Sequence, residues 1–173
     1  GANITEINTV RKNISLVKGG GVARSVYPAH LVSLIISDVL HDRIDIVSSG
    51  PTVKSFSASD DAIRVLNQYG IKEKNFPLVF SHLKSQRGSN QKKKNEEKIF
   101  KNVTNIVIGN SSKALEKAKS KARSLGYETI VLEKDFGGKL NSLAKIFSDA
   151  IKKEFLSECG RKNKKCFLAS GEI

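Results

Sequence analysis

The 173-residue chain has no methionine and no tryptophan, and only two cysteines and three histidines. The histidines, His30, His41 and His82, stand far apart in sequence, which argues against a histidine metal centre. Cys159 and Cys166 are separated by six residues, a spacing that fits neither a redox CxxC pair nor a zinc knuckle. Free thiols in a reducing compartment are the simpler reading, so the expected localisation is cytoplasmic, with mitochondria as the alternative. No run of eighteen apolar residues exists to form a membrane helix. No charged segment followed by an apolar one reads as a signal peptide. A first residue that is glycine, in a chain without methionine, leaves the natural start unplaced.

What is abundant is positive charge, a formal net of +13. It is uneven. Residues 84 to 101 carry seven Lys/Arg against two Glu, and residues 161 to 165 add four more positive charges. A basic chain invites a nucleic-acid reading. Both segments lack the interleaved aromatics of a base-stacking surface, so they are read as solvated loops, and the first as a surface insertion.

Apolar residues make up 39% of the chain, enough for a domain with a core. Ile4, Ile7, Val10, Ile14 and Val17 recur at steps of three and four and predict an amphipathic helix, with Asn3 and Glu6 able to form a capping box. Lys18, Gly19, Gly20 and Gly21 follow. Residues 31 to 36 form a nearly continuous apolar run, the signature of a strand covered on both faces, and end in Ser37-Asp38. A shorter run, 44 to 47, is a second strand or an edge, and leads into Ser48-Ser49-Gly50-Pro51-Thr52. Ser59-Asp60-Asp61 begins a helix with a stripe of Ala62, Val65, Leu66 and Tyr69, closed by Gly70. A weaker helix spans about 78 to 83.

After the basic segment the pattern is clearer. Residues 103 to 108 predict a strand, Gly109-Asn110-Ser111-Ser112 a turn and cap, and Ala114, Leu115, Ala118, Ala122 and Leu125 a helix stripe. Gly126 and a strand over 127 to 132 complete a βαβ unit. A helix with Leu140, Leu143, Ala144, Phe147, Ile151 and Phe155 on one face and a strand from Cys166 follow. The expected class is α/β with a mostly parallel sheet.

Ligands of such sheets sit outside the carboxyl ends of strands. That rule selects Ser37-Asp38, the segment Ser48 to Thr52, and Gly109 to Ser112. Asp38 directly follows a strand and can act as a general base or face a magnesium ion, or it can simply cap its turn. The N–H groups before a helix can hold phosphate, although a plain cap looks the same in sequence. Lys18 precedes its glycines, the reverse of the phosphate-loop order in which lysine follows them. By these features alone the chain is an α/β domain for a small anionic or phosphorylated ligand.

The segments INTVRKNISLVKGGGVA, YPAHLVSLIISDVLHDRIDIVSSGPTV, NIVIGNSSKALEKAKSKARSLGY and CFLASGE, in that order, closely resemble the glycerate 2-kinase family with a C-terminal MOFRL domain, its animal-type members in particular. The resemblance implies a Rossmann-like αβα sandwich, incomplete at both ends of this chain. It implies that residues 1 to 160 belong to that domain, with the basic insertion at 84 to 101, and that 164 to 173 open the MOFRL domain. It implies transfer of a phosphoryl group from ATP to the 2-hydroxyl of D-glycerate, with Mg2+. Asp38 matches the strand-end aspartate, a base or metal-facing group. Lys18, Gly19 and Gly20 match the KGG element, Ser49, Gly50, Pro51 and Thr52 the SGPT element, and Gly109, Asn110 and Ser111 the ligand-side turn.

Three positions depart from the family pattern. His41 stands where glycine is usual, Ser48 where alanine is usual, and the turn reads Gly-Asn-Ser rather than Gly-Ser-Asn. The family's lysine- and SGG-bearing segment and its GGRNQE segment are not in this chain, so the 173 residues alone are expected to be nearly inactive. An open sheet edge leaves room for homo-oligomers. The rival reading is a non-catalytic module that holds RNA or another polyanion through its basic loops.

Overall fold

The computed structural model describes residues 1–87, 93–157 and 164–172. Cys159, the basic run at 161–163 and part of the basic segment at 88–92 lie outside the described residues. Seven helices and four strands run in the order α1 (Ile4–Ile14), α2 (Gly21–Val26), β1 (Leu31–Ile36), α3 (Ser59–Gln68), α4 (Pro77–Ser85), α5 (Lys93–Lys101), β2 (Val103–Gly109), α6 (Ser111–Ser124), β3 (Glu128–Gly137), α7 (Leu140–Ser157) and β4 (Lys165–Glu172), among the described residues. The α/β class holds. The strands lie in two two-stranded sheets, β1 with β2 and β3 with β4, rather than in one.

The chain divides into two compact units. The first comprises residues 1–35 and 43–106, the second residues 36–42 and 107–173.

In the first unit, α1 begins as its sequence dictates. Asn3 Oδ1 accepts from the Glu6 N–H at 3.0 Å while Glu6 Oε2 accepts from the Asn3 N–H at 2.8 Å, which satisfies two of the N–H groups that every helix start leaves over. The helix stops at Ile14, short of Val17, because the Ser15 backbone turns to an extended conformation. The core is formed by Ala62, Leu66, Phe80 and Leu83 of α3 and α4, packed against Val10 of α1. Gly70, at φ +73, ends α3 as a left-handed terminator.

Three segments depart from what their sequence predicts. Residues 44 to 47 are not a strand: the segment turns into a 3-10 turn at Val47–Ser49. Four apolar residues fit a turn packed on a helix as well as they fit a strand. β1 is not covered on both faces. Its side chains alternate, and Val32, Leu34 and Ile36 are 54%, 64% and 74% exposed. A continuous apolar run reports that a strand could be covered twice, not that it is. The basic segment is not loop throughout. Its second half is α5, anchored because Glu96 accepts from Arg24 at 2.7 Å and pairs with Lys54 at 3.1 Å. Phe100 lies under the Arg24 guanidinium, 5.6 Å from ring centroid to carbon.

In the second unit, β3 and β4 are parallel neighbours in the register Glu128↔Lys165 to Gly137↔Glu172, joined by α7 in a βαβ crossover. The sequence pattern predicts β2–α6–β3 as such a unit, but β2 and β3 lie in different sheets among the described residues. Residues 165–172 are therefore part of this unit's sheet. α6 packs through Leu115, which is buried. No helix among the described residues is long and apolar enough to cross a membrane.

Candidate functional site

The predicted site residues fall into two groups, one in each unit. In the first unit, the KGG and SSGP elements are laced together by main-chain hydrogen bonds. Gly19 N–H donates to Ser49 O at 2.9 Å, Gly20 N–H to Gly50 O at 2.8 Å, and Val22 N–H to Pro51 O at 3.1 Å. Lys18 Nζ donates to Ser48 O at 3.0 Å. Gly21 lets the chain fold back on itself before this loop: a Cβ there would lie 1.9 Å from Leu16 O. The N–H groups of Gly19 and Gly20 are thus spent on protein carbonyls. These glycines shape a loop, and Lys18 is the residue of the element that offers a charge.

The SGPT element behaves similarly. Ser49 is buried, and its hydroxyl donates to Asn8 Oδ1 at 2.7 Å. Thr52 is buried, and its hydroxyl donates to Asn105 Oδ1 at 2.5 Å. Ser48, Ser49 and Gly50 have φ of +50, +63 and +62, three successive residues in the left-handed region that side chains disfavour. Such strain persists only where the surroundings hold it, and here Asn8 and the Gly19–Gly20 backbone do so. Asn8 and Asn105 were not singled out from sequence. For Asn8 a signal existed, a polar residue beside Ile7 on the apolar side of α1.

In the second unit, Asp38, Gly109, Asn110 and Ser111 come together. They line one groove of about 1000 Å3, whose walls include Ile36, Ile108 and Glu172. Asp38 does not cap its turn. Ser37 does that: its hydroxyl donates to Val39 O at 3.3 Å and accepts from Val39 N–H at 3.4 Å. Ser37 N–H is fixed to Gly109 O at 2.8 Å. The Asp38 side chain is exposed and has no hydrogen bond or ion pair among the described residues.

Asn110 is the N-cap of α6, with Oδ1 accepting from Lys113 N–H at 2.8 Å. Its Nδ2 donates to Asp42 Oδ2 at 2.5 Å. The Ser111 hydroxyl donates to Asp135 Oδ1. Lys113 N–H and Ala114 N–H are both taken by Asn110, which leaves the N–H groups of Ser111 and Ser112 without a protein acceptor among the described residues. A helix of fourteen residues adds the positive end of its dipole to them. The groove thus sets a free carboxylate and a helix start in one cavity. Among the described residues no three His, Cys, Asp or Glu side chains gather as a metal cage.

Comparison with known proteins bears on this geometry. The family described as "Domain of unknown function (DUF4147)" matches residues 1–84. A glycerate kinase of Danio rerio is 39% identical over 150 residues, covering 85% of this chain and 30% of the relative. A D-glycerate 2-kinase of Thermotoga maritima is 40% identical over 132 residues, 76% of this chain and 29% of that one. The crystal structure of a glycerate kinase (EC 2.7.1.31) from Thermotoga maritima superposes with a TM-score of 0.75 at 33% identity, covering 99% of this chain and 39% of the other. The chain spans about a third of the length of the curated relatives it matches.

Proposed function

The chain is homologous to the glycerate kinases over 85% of its length, and on that premise we propose that it supplies the phosphoryl-transfer groove of a glycerate 2-kinase, which moves phosphate from ATP to the 2-hydroxyl of D-glycerate. The observation that carries this reading is the groove of the second unit, where the unpartnered carboxylate of Asp38 and the open first turn of α6 share one cavity.

Phosphoryl transfer needs positioning and charge stabilisation more than covalent chemistry. The N–H groups of Ser111 and Ser112 hold phosphate oxygens, aided by the helix dipole. Asp38 takes the proton of the attacking hydroxyl as general base. Ile36 and Ile108 give the groove an apolar wall suited to a nucleoside. Within the first unit, Lys18 offers positive charge to an anionic ligand from a loop that Gly19, Gly20 and the segment Ser49, Gly50, Pro51, Thr52 hold in shape. Magnesium would neutralise phosphate charge in such a reaction; with Asp38 kept as the base, the substrate's phosphates would be its principal ligands.

A coupled assay of ADP release by the native protein, run with D-glycerate and a panel of other 2-hydroxy acids, tests the reaction. Release that depends on D-glycerate supports it. Release that depends on a different acid moves the protein to another sugar-acid kinase activity.

A further inference from the structure

The first unit has a cleft of its own, of about 510 Å3, formed by α1, the Lys18–Gly19 loop, the start of α3 and the end of α4. Four cations and two carboxylates line it: Lys12, Lys18, Arg24 and Arg87 against Asp60 and Glu96. The carboxylates are already spent. Arg87 holds Asp60 at 2.5 Å, and Glu96 is shared by Arg24 at 2.7 Å and Lys54 at 3.1 Å. Lys18 Nζ has only a neutral partner, Ser48 O. Lys12 Nζ has no hydrogen bond or ion pair among the described residues. Asp45 lies within electrostatic reach of Lys12 but is gripped by Arg43 through two hydrogen bonds of 2.8 and 2.9 Å. Lys12 and Lys18 therefore both line this cleft, and neither has a carboxylate in ion-pair contact among the described residues.

The walls are built to meet. Gly19 has φ +58, and a Cβ there would stand 3.1 Å from Cβ of both Lys12 and Ser55. The missing side chain is what lets the Lys18 loop close against the stem of Lys12. Ser55 and Ser57 place hydroxyls on the same wall, joined at 2.9 Å, with Asn13 Nδ2 donating to Ser57 at 3.1 Å. Cationic side chains in a concave site concentrate an anion far more than the same charges spread on a convex surface.

We propose that this cleft binds a phosphate dianion, free or carried on a small phosphomonoester, with Lys12 and Lys18 as its two cationic ligands. The charge count selects the class: two lysines without an ion-pair partner match a dianion, whereas a lone carboxylate leaves one of them unmatched. This deepens the role given to Lys18 above and rests on that reading. Its new content is the partner lysine, Lys12, and the ligand.

The test is calorimetric titration of the 173-residue chain with inorganic phosphate, with 2-phosphoglycerate and with D-glycerate, in a buffer free of other multivalent anions. Lys12→Met, Lys18→Met, the charge-keeping Lys12→Arg and the remote control Lys74→Met are compared with the parent, each with a melting curve. The expected result is phosphate binding that weakens at least tenfold in Lys12→Met and in Lys18→Met, and stays within twofold in Lys12→Arg and Lys74→Met. Equal binding of inorganic phosphate and 2-phosphoglycerate assigns recognition to the phosphate group alone, and tighter binding of 2-phosphoglycerate assigns it to the ester. D-glycerate binding as tightly as either overturns the assignment. So does phosphate binding that Lys12→Met leaves unchanged. The kinase reading fails separately: glycerate-independent ADP release by the native protein, with phosphate bound as described, overturns the reaction and leaves the cleft standing.

Discussion

Ser111, the first residue of α6, donates its hydroxyl to Asp135 of β3, and the Asp135 backbone N–H in turn donates to Ser170 Oγ of β4 at 3.3 Å. The residue before it, Asn110, is held in the same way by Asp42. Asp42 and Asp135 both adopt left-handed backbones, φ +51 and +54. Two conformationally costly aspartates therefore fix two consecutive residues of the turn that opens α6. Asp135→Gly and Asp42→Gly keep those backbones accessible and remove the carboxylates. Each is expected to cost about 1.5–3 kcal/mol in urea denaturation, the range for losing a hydrogen bond to a charged group. Each is also expected to weaken ATP binding by the native protein, measured by titration.

Gly21 is required by space. A Cβ at that position meets Leu16 O at 1.9 Å, a backbone atom that cannot swing away. Gly21→Ala should fall toward the upper end of the roughly 1–3 kcal/mol that overpacking costs. The same change at Gly126, where the added Cβ meets nothing, should cost only the strain of its φ of +80. Paired denaturation curves separate the two.

His41 occupies a position at φ +58, which accounts for glycine being usual there in the family it resembles. Histidine tolerates this conformation better than most residues, and a β-branched residue does not. His41→Gly should be neutral or stabilising by up to about 1 kcal/mol, strain relief being offset by a more flexible unfolded chain. His41→Val should destabilise by about 1–2 kcal/mol. Thermal melts of the three proteins give the order Gly, His, Val.

Glu96 supplies a pH dependence. Burial pushes its carboxyl up, but the hydrogen bonds and charges of Arg24 and Lys54 prevail and hold it below the ordinary value. In the window between the folded value and the ordinary value of 4.5, the unfolded chain binds more protons. The stabilisation is therefore present above that window and is lost as pH falls through it. Glu96→Gln should flatten the acid limb of a stability-against-pH curve and loosen α5, seen as faster amide exchange around Phe100.

The helices were legible because each carried its own local instructions: Asn3 with Glu6 for α1, Asn110 for α6, and Gly70 and Gly126 as terminators. The strands were legible as runs but not as a sheet. Nothing within residues 31–36 tells whether Val32, Leu34 and Ile36 meet a second layer, and nothing within 44–47 distinguishes a strand from a turn held by Asn8. α5 was hidden by its composition, since its anchor is the long-range pairing of Glu96 with Arg24. Asp38 was legible as a strand-end carboxylate, but only Ser37's own hydrogen bonds reveal that Asp38 is not needed as a cap. Ser49 and Thr52 were found by motif and turn out to be buried, with their hydroxyls committed to Asn8 and Asn105. Partnerships across forty or fifty residues leave no trace in local pattern.

The central claim is that Asp38 is a general base for phosphoryl transfer to D-glycerate, and the most direct measurement is the kcat of the native protein against its Asp38→Asn variant, with ATP and D-glycerate saturating and melting temperatures recorded alongside. The expected result is a loss of roughly 10²–10⁴-fold in kcat, the usual worth of a positioned base, with an unchanged melting temperature because Asp38 makes no bond within the described protein. An Asp38→Asn variant that turns over D-glycerate at the parent rate contradicts the account.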